Sequence, residues 1–192
     1  MQRPPLTPRT VVRTAADLAD THGLDEVTLS AVARELDVRT PSLYGHVRDL
    51  AALRDGVTIL ALGELADQAG DAVAGRAGRD ALRALCDAHR DYARSHPGRW
   101  QSLQRRAGDR VVRSDEAARS SRALAAVLRG YGIAESDRVH ATRLVGSFLN
   151  GFLHLEHVGG FAHSAPPADT SWSLLIDRLD DMLTRWDGEV ER

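Results

Sequence analysis

The chain of 192 residues is predicted to be all-α, and three observations predict it. Apolar residues recur three and four apart in nearly every segment, which gathers them on one stripe of a helix. No stretch alternates apolar and polar residues as a half-buried strand does. Thr-Pro and Thr-Leu steps stand directly before several apolar runs, where a starting helix needs a side-chain acceptor for its free N–H groups and accepts proline.

The elements follow in order. Thr7-Pro8 opens the first helix, Val11, Val12, Ala15, Leu18 and Ala19 form its stripe, and Gly23 ends it. Thr28 starts the second, with Leu29, Val32, Ala33 and Leu36 inward. Thr40-Pro41 opens a third of only about two turns, with Leu43 and Val47 sharing one face at i, i+4. A fourth starts near Asp49, turns Leu50, Leu53, Val57 and Leu60 inward, and runs to Ala69. The Gly- and Ala-rich QAGDAVAGRAGR, residues 68–79, is predicted to be a loop. Five more helices are predicted over 79–95, 97–107, 114–130, 136–158 and 170–187, nine in all. Pro97, the glycines 130 and 132, and GGFAHSAPPAD separate them.

Composition bounds the class. At 43% hydrophobic and 27% charged the chain is that of an ordinary globular protein. A single cysteine, Cys86, excludes an internal disulfide and fits a reducing compartment. No apolar run is long enough to span a membrane, and MQRPPLTPR lacks the apolar segment of a signal peptide, so a cytoplasmic protein with no membrane partner is expected. All 25 basic residues are arginine, yet the net charge is −2, and the basic excess of many nucleic-acid binders is missing.

Between Leu36 and Leu43 one helix ends, Asp37-Val38-Arg39 makes a tight turn, and another helix begins. This is a helix-turn-helix arrangement. Leu29, Val32, Leu36, Leu43 and Val47 are expected to pack together, which turns Thr40, Ser42, Gly45 and His46 outward with Tyr44 at the margin. Hydroxyls and imidazole on such a face can meet phosphates and base edges, Gly45 permits close approach, and the helix N-terminus offers N–H groups to phosphate. Arg39 and Arg48 flank the face as phosphate contacts. Residues 1–57 hold seven arginines against eight acids, so modest non-specific affinity is expected.

The run TLSAVARELDVRTPSLYGHVRDLAALRDGV resembles the DNA-binding domain of the TetR family of bacterial transcriptional regulators. The likeness covers roughly residues 8–57 and is most specific over Pro41-Ser42-Leu43-Tyr44-Gly45-His46. It implies an all-helical homodimer with a helix-turn-helix domain at 1–48 and a ligand-binding and dimerisation domain at 49–192. It also implies repression relieved by a small molecule. Thr40, Pro41, Gly45 and His46 match positions that face DNA in the family, Tyr44 a phosphate-contacting one, and Thr28 and Ser30 positions near the backbone. Two residues depart from the pattern: Asp37 stands where glycine is usual, and Leu50 where a basic residue is common. Aspartate tolerates the left-handed backbone better than most residues, so the turn is expected to survive.

In the remaining two-thirds, His89 shares the apolar face of Leu82, Leu85 and Tyr92. It reads either as a core histidine bonded to a neighbour or, with Tyr92, as a polar handle in a ligand pocket that Trp100, Leu103, Phe148 and Phe152 also line. The helix over 136–158 is apolar on nearly all sides, and 170–187 carries a stripe wider than one neighbour needs. Leu144, Leu149, Leu153, Trp172, Leu175, Leu179, Met182, Leu183 and Trp186 are therefore expected at a two-fold interface, as a four-helix bundle shared by two copies. The stretch GFLHLEHVGGF with Asp169 and Trp172 resembles the WHG-like regulatory domain of some TetR-like proteins, with Asn150-Gly151 where His-Gly is common. His154 and His157, at i, i+3 with Glu156 between them and His163 nearby, could share a helix face, but there is no HExxH pattern and no cysteine to help, so no metal and no cofactor are expected beyond an unidentified effector. There is no GxSxG elbow, no phosphate-binding loop and no electropositive setting for Cys86, so no enzyme is expected. The expected function is a sequence-specific repressor, released from a roughly palindromic double-stranded DNA operator by a small-molecule ligand. The alternative is a small helical enzyme or ligand-sequestering protein with a vestigial helix-turn-helix, using His89 or the histidines at 154–163.

Overall fold

The structure, a computed structural model, describes residues 5–186; the first residues of MQRPPLTPR and residue 187, the expected end of the last helix, lie outside them, and that helix ends at Thr184. The described residues form α-helices and two short 3-10 segments, with no strand. The helices are α1 (Pro8–His22), α2 (Leu29–Glu35), α3 (Leu50–Val73), α4 (Gly78–Ser95), α5 (Pro97–Leu103), α6 (Asp109–Val112), α7 (Asp115–Arg129), α8 (Arg138–His157) and α9 (Ala168–Thr184). The 3-10 segments are Leu24–Glu26 and Thr40–Gly45.

Local chemistry sets most boundaries. Thr7 caps α1 by accepting from the Thr10 N–H, while the Thr10 hydroxyl accepts from the Thr7 N–H in return. At the end of α2, Asp37 adopts a left-handed φ of 50°, as expected of this residue. The Val38 N–H then reaches the Ala33 carbonyl at 2.9 Å and the Asp37 N–H the Arg34 carbonyl at 3.0 Å, the paired bonds of a Schellman ending.

Three elements depart most from expectation. The third helix is a 3-10 segment. The fourth, α3, runs on to Val73 through the region predicted as a loop. A lone helical glycine such as Gly70 costs only about 1 kcal/mol, and burial of Leu65, Ala66 and Ala69 offsets it. The helix predicted over 97–107 stops at Leu103, and a separate short turn, α6, follows.

Packing divides the chain into two compact units. The first comprises residues 1–64 and 95–119, the second 65–94 and 120–192. Packing thus cuts the chain elsewhere than the proposed functional boundary at 48–49. The reason lies in α5, which docks on α1 and the Leu24–Glu26 segment, while Leu53 and Val57 of α3 join the core of the helix-turn-helix.

In the first unit Val11, Ala15, Ala16, Val27, Val32, Leu43, Leu53 and Val57 are fully buried together. Arg99 of α5 is itself buried and binds carboxylates from two helices: Asp17 and Asp20 (3.2 Å) of α1 and Glu64 (3.3 Å) of α3. Its backbone N–H also donates to Asp20, 2.8 Å away. Gly98 lies directly against the Ala19 backbone, and a Cβ there would overlap the Ala19 carbonyl. Gln101 accepts from the Leu24 N–H at 2.9 Å.

In the second unit α4, α8 and α9 bury Leu82, Leu85, Tyr92, Val145, Leu149, Phe152, Trp172, Ile176 and Leu183. Arg79 and Arg83 of α4 hold Asp177 of α9 at 2.7 and 2.5 Å.

Gly98→Ala should destabilise the chain by about 3 kcal/mol, because the Ala19 backbone cannot yield to a methyl group. Gly70→Ala, with nothing within 4 Å of the added methyl, should stabilise it by about 0.5–1 kcal/mol. Urea unfolding midpoints check both signs.

Candidate nucleic-acid interface

The segment over 40–45 owes its exposure pattern to 3-10 geometry. At about three residues per turn, side chains three apart line up in rows. The row Thr40, Leu43, His46 faces the core: Leu43 is fully buried and its two row-mates are half-buried. The rows Pro41–Tyr44 and Ser42–Gly45 face solvent, and Tyr44 is 57% exposed. The α-helical expectation is corrected on this point. Tyr44 stands at the centre of the outward surface, while Thr40 and His46 form its edges. The backbone bonds agree, with Ser42 N–H to Arg39 and His46 N–H to Leu43, each three residues back at 2.9 Å.

The other candidates border this surface. Thr28 caps α2 by accepting from the Ala31 N–H (3.1 Å), and its hydroxyl lies 3.1 Å from that of Ser30; both residues are exposed. Arg39 and Arg48 are exposed, and Arg48 pairs with Asp49 at 2.8 Å. Asp49 caps α3 by accepting from the Ala52 N–H at 2.7 Å. That bond, with Arg48 beside it, holds the Asp49 carboxyl below the usual carboxylate range. Leu50 packs its apolar side chain against the core, which accounts for a leucine at this place. Sequence reading missed Arg54. Its guanidinium donates to the carbonyls of Asp25 (3.3 Å) and Val27 (3.4 Å), bracing the connection that presents Thr28 and Ser30. Only tertiary folding brings these groups together.

The six candidate ligand residues fall in different units. Trp100 and Leu103 belong to the first; His89, Tyr92, Phe148 and Phe152 belong to the second. His89 bonds the Leu85 carbonyl of its own helix at 2.7 Å, and burial lowers its pKa against the pull of that bond, so the ring is neutral at pH 7. Phe148 and Phe152 join an aromatic cluster with Trp172 and Phe161, with centroids 4.8–6.0 Å apart. The Arg90 guanidinium lies over Trp172 at 4.8 Å and over Phe152 at 5.6 Å. An open cleft of about 450 Å³ lies elsewhere in the unit, among Gln68, Arg76, Asp80, Arg83, Asp87 and Asp91, and none of the six candidates lines it.

The interface candidates need correction. Leu149, Leu153, Trp172, Leu179 and Leu183 are buried within the protomer, because α8 and α9 pack on each other and on the second unit's core. Leu144, Leu175, Met182 and Trp186 keep surface, as do Val139, Leu155, Val158 and Leu174. Among the described residues no group of three His, Cys, Asp or Glu is arranged to hold a metal ion. Glu156 is instead held by Arg90 (2.5 Å) and Arg94 (2.9 Å), and Asp169 by the same arginines (2.7 and 3.1 Å). Burial pushes the Cys86 thiol up to about 12, so it stays protonated and a poor nucleophile. Among the described residues no helix is long and apolar enough to cross a membrane.

Residues 82–179 match the family model described as the tetracycline repressor-like C-terminal domain. The chain is 34% identical over 150 residues to an uncharacterized HTH-type transcriptional regulator of Bacillus subtilis, YobS, covering 77% of each chain. Its fold is similar to that of BioQ from Mycobacterium smegmatis, with a TM-score of 0.72 at 24% identity over 93% of this chain and 98% of that one. BioQ has also been solved with its double-stranded DNA operator. ActR of Streptomyces coelicolor in complex with (S)-DNPA is similar as well, with a TM-score of 0.70 at 20% identity over 94% and 98% of the two chains.

The Glu156 cluster makes a pH-dependent prediction. Burial alone would raise the Glu156 pKa, but the hydrogen bonds from Arg90 and Arg94 outweigh it and hold the carboxyl below 4.5. A depressed pKa contributes stability that is complete above the unfolded value and lost as pH falls through the folded one. Glu156→Gln should therefore cost at most roughly 3 kcal/mol at pH 7, since Asp169 still faces Arg90. The difference from wild type should shrink below pH 4.5, as urea melts across pH 3–7 would show.

Proposed function

We propose a repressor's function on a plain premise: this chain belongs to the TetR family of HTH-type transcriptional regulators. Two copies bind a roughly palindromic double-stranded DNA operator in the cytoplasm, and a small-molecule effector releases them. The observation that carries the reading is the outward surface of Pro41, Ser42, Tyr44 and Gly45, rooted in the core by Leu43. Small residues there admit a groove wall, and the Tyr44 ring and hydroxyl can reach a phosphate. Thr28, Ser30, Arg39, Thr40, His46 and Arg48 border it as backbone and base-edge contacts. The DNA-bound BioQ structure, which shares the fold, supports duplex DNA as the partner.

Dimerisation through α8 and α9 accounts for the apolar side chains left on the surface, among them Leu174, Leu175 and Met182 of α9 and Val139 and Leu155 of α8. A two-fold pair would complete a four-helix bundle and set two reading surfaces on successive major grooves, about 34–36 Å apart. The effector is placed in the second unit, by the aromatic side chains that Arg90 covers, with His89 and Tyr92 as further lining. The ligand-bound ActR structure supports a small organic effector for this fold. Release requires only that the effector prefer the conformation whose reading surfaces no longer fit DNA, and the coupling is reciprocal.

Tyr44→Ala should weaken operator binding about tenfold, corresponding to 1–2 kcal/mol, with the unfolding midpoint unmoved because the side chain is exposed. His46→Ala should lose affinity and some stability together, because His46 is half-buried. Retention of DNA by both variants at wild-type strength would sink the reading.

A further inference from the structure

The reading surface leaves a charge problem, since residues 1–57 carry seven arginines against eight acids. Binding to duplex DNA draws much of its strength from cations that displace counterions, which that composition supplies poorly. A second segment of the same compact unit answers it. Residues 104–113, QRRAGDRVVR, hold Arg105, Arg106, Arg110 and Arg113 against one acid, Asp109. All four arginines are exposed. Arg113 pairs there with Asp109 at 3.8 Å, between side chains more than four-fifths exposed, which leaves both guanidinium and carboxylate solvated.

The fold places this segment beside the reading surface. Buried Val111 anchors it. Arg110 donates to the Ala52 carbonyl at 3.3 Å, in the first turn of α3. Gly108 faces Asp55 one turn further along, where a Cβ would stand 3.5 Å from the carboxylate. Helix α3 begins at Leu50, two residues after Arg48, and Ala52 lies only about 3 Å of helix rise beyond that start. The segment therefore lies, through Gly108 and Arg110, against the end of α3 that adjoins the reading element.

We propose that residues 104–113 form a second contact with duplex DNA, in which Arg105, Arg106 and Arg113 bind backbone phosphates flanking the bases that the 40–45 element reads. The inference rests on the DNA-binding function proposed above. Guanidinium groups match phosphate bidentately. The segment has no aromatic side chain to stack on a base, so the contact is indifferent to sequence. Counted with residues 1–57, it turns the summed formal charge of the two segments from −1 to +2 per protomer. That proximity and charge favour DNA over an acidic protein as the partner.

The test is the triple variant Arg105→Gln/Arg106→Gln/Arg113→Gln, with Arg110 kept for its bond to α3. The probes are a duplex selected by the wild-type protein from random-sequence DNA, and a scrambled duplex. Affinity for each is measured by fluorescence anisotropy from about 50 to 200 mM salt. The expected result is a loss of about tenfold or more on both duplexes, an unchanged ratio between them, and a salt slope shallower by about 1 or more. The matching lysine triple variant should keep the slope. An unchanged slope and affinity in a folded glutamine variant, while the wild type still prefers the selected duplex, overturns this contact alone and leaves the patch to an acidic protein. Failure of the wild type to select any duplex overturns the regulator function, and this contact with it.

Discussion

The first unit depends on a buried cation. Arg99 is almost wholly removed from water, and a guanidinium in that position is tolerable only when its donors are met by carboxylates. Asp17 and Asp20 come from α1 and Glu64 from α3, so satisfying one side chain fixes three helices against each other. The constraint extends to the neighbouring residue. Only glycine at 98 lets α5 approach the α1 backbone closely enough for Arg99 to reach its partners. The helix-turn-helix is thereby mounted on a frame built by a segment more than 30 residues beyond it in sequence.

The second unit repeats this logic with different groups. Arg90 enters from α4, lies over Trp172 and Phe152, and is neutralised by Glu156 of α8 and Asp169 of α9. Trp172 donates its indole N–H to Asp87 of α4 at 2.7 Å. Polar bonds and apolar burial therefore converge on the same three helices. Arginine suits both places, because its planar group can stack on a ring and bind two carboxylates at once.

Function follows from what this packing leaves outside. Leu43 spends its side chain on the core, and the rows beside it present tyrosine, serine, glycine and proline to solvent. The charge that such a surface lacks is supplied, on our proposal, by arginines that the chain delivers only after α5 has docked. Binding strength and sequence reading would then reside in different segments of one compact unit.

The sequence by itself determined the all-helical class, most helix starts and stops, the turn at Asp37, and the family. All of these rest on local chemistry: caps, prolines, left-handed tolerance and 3.6-residue spacing act within a few residues. The outward residues of the reading element were legible as a group, but their order was not, because nothing local distinguished a 3-10 turn from an α-turn over Thr40–Gly45. Tertiary structure decided that order, as it decided the run of α3 to Val73, where burial overrode a Gly-rich loop signal. It also decided that Leu149, Leu153, Trp172, Leu179 and Leu183 are core, since periodicity shows that a helix face is apolar but not what covers it. The carboxylate and carbonyl partners of Arg54, Arg90, Arg99 and Arg110 lie between 27 and 82 residues away for the same reason. A charge carries no periodicity, and its partner is known only when the chain has folded.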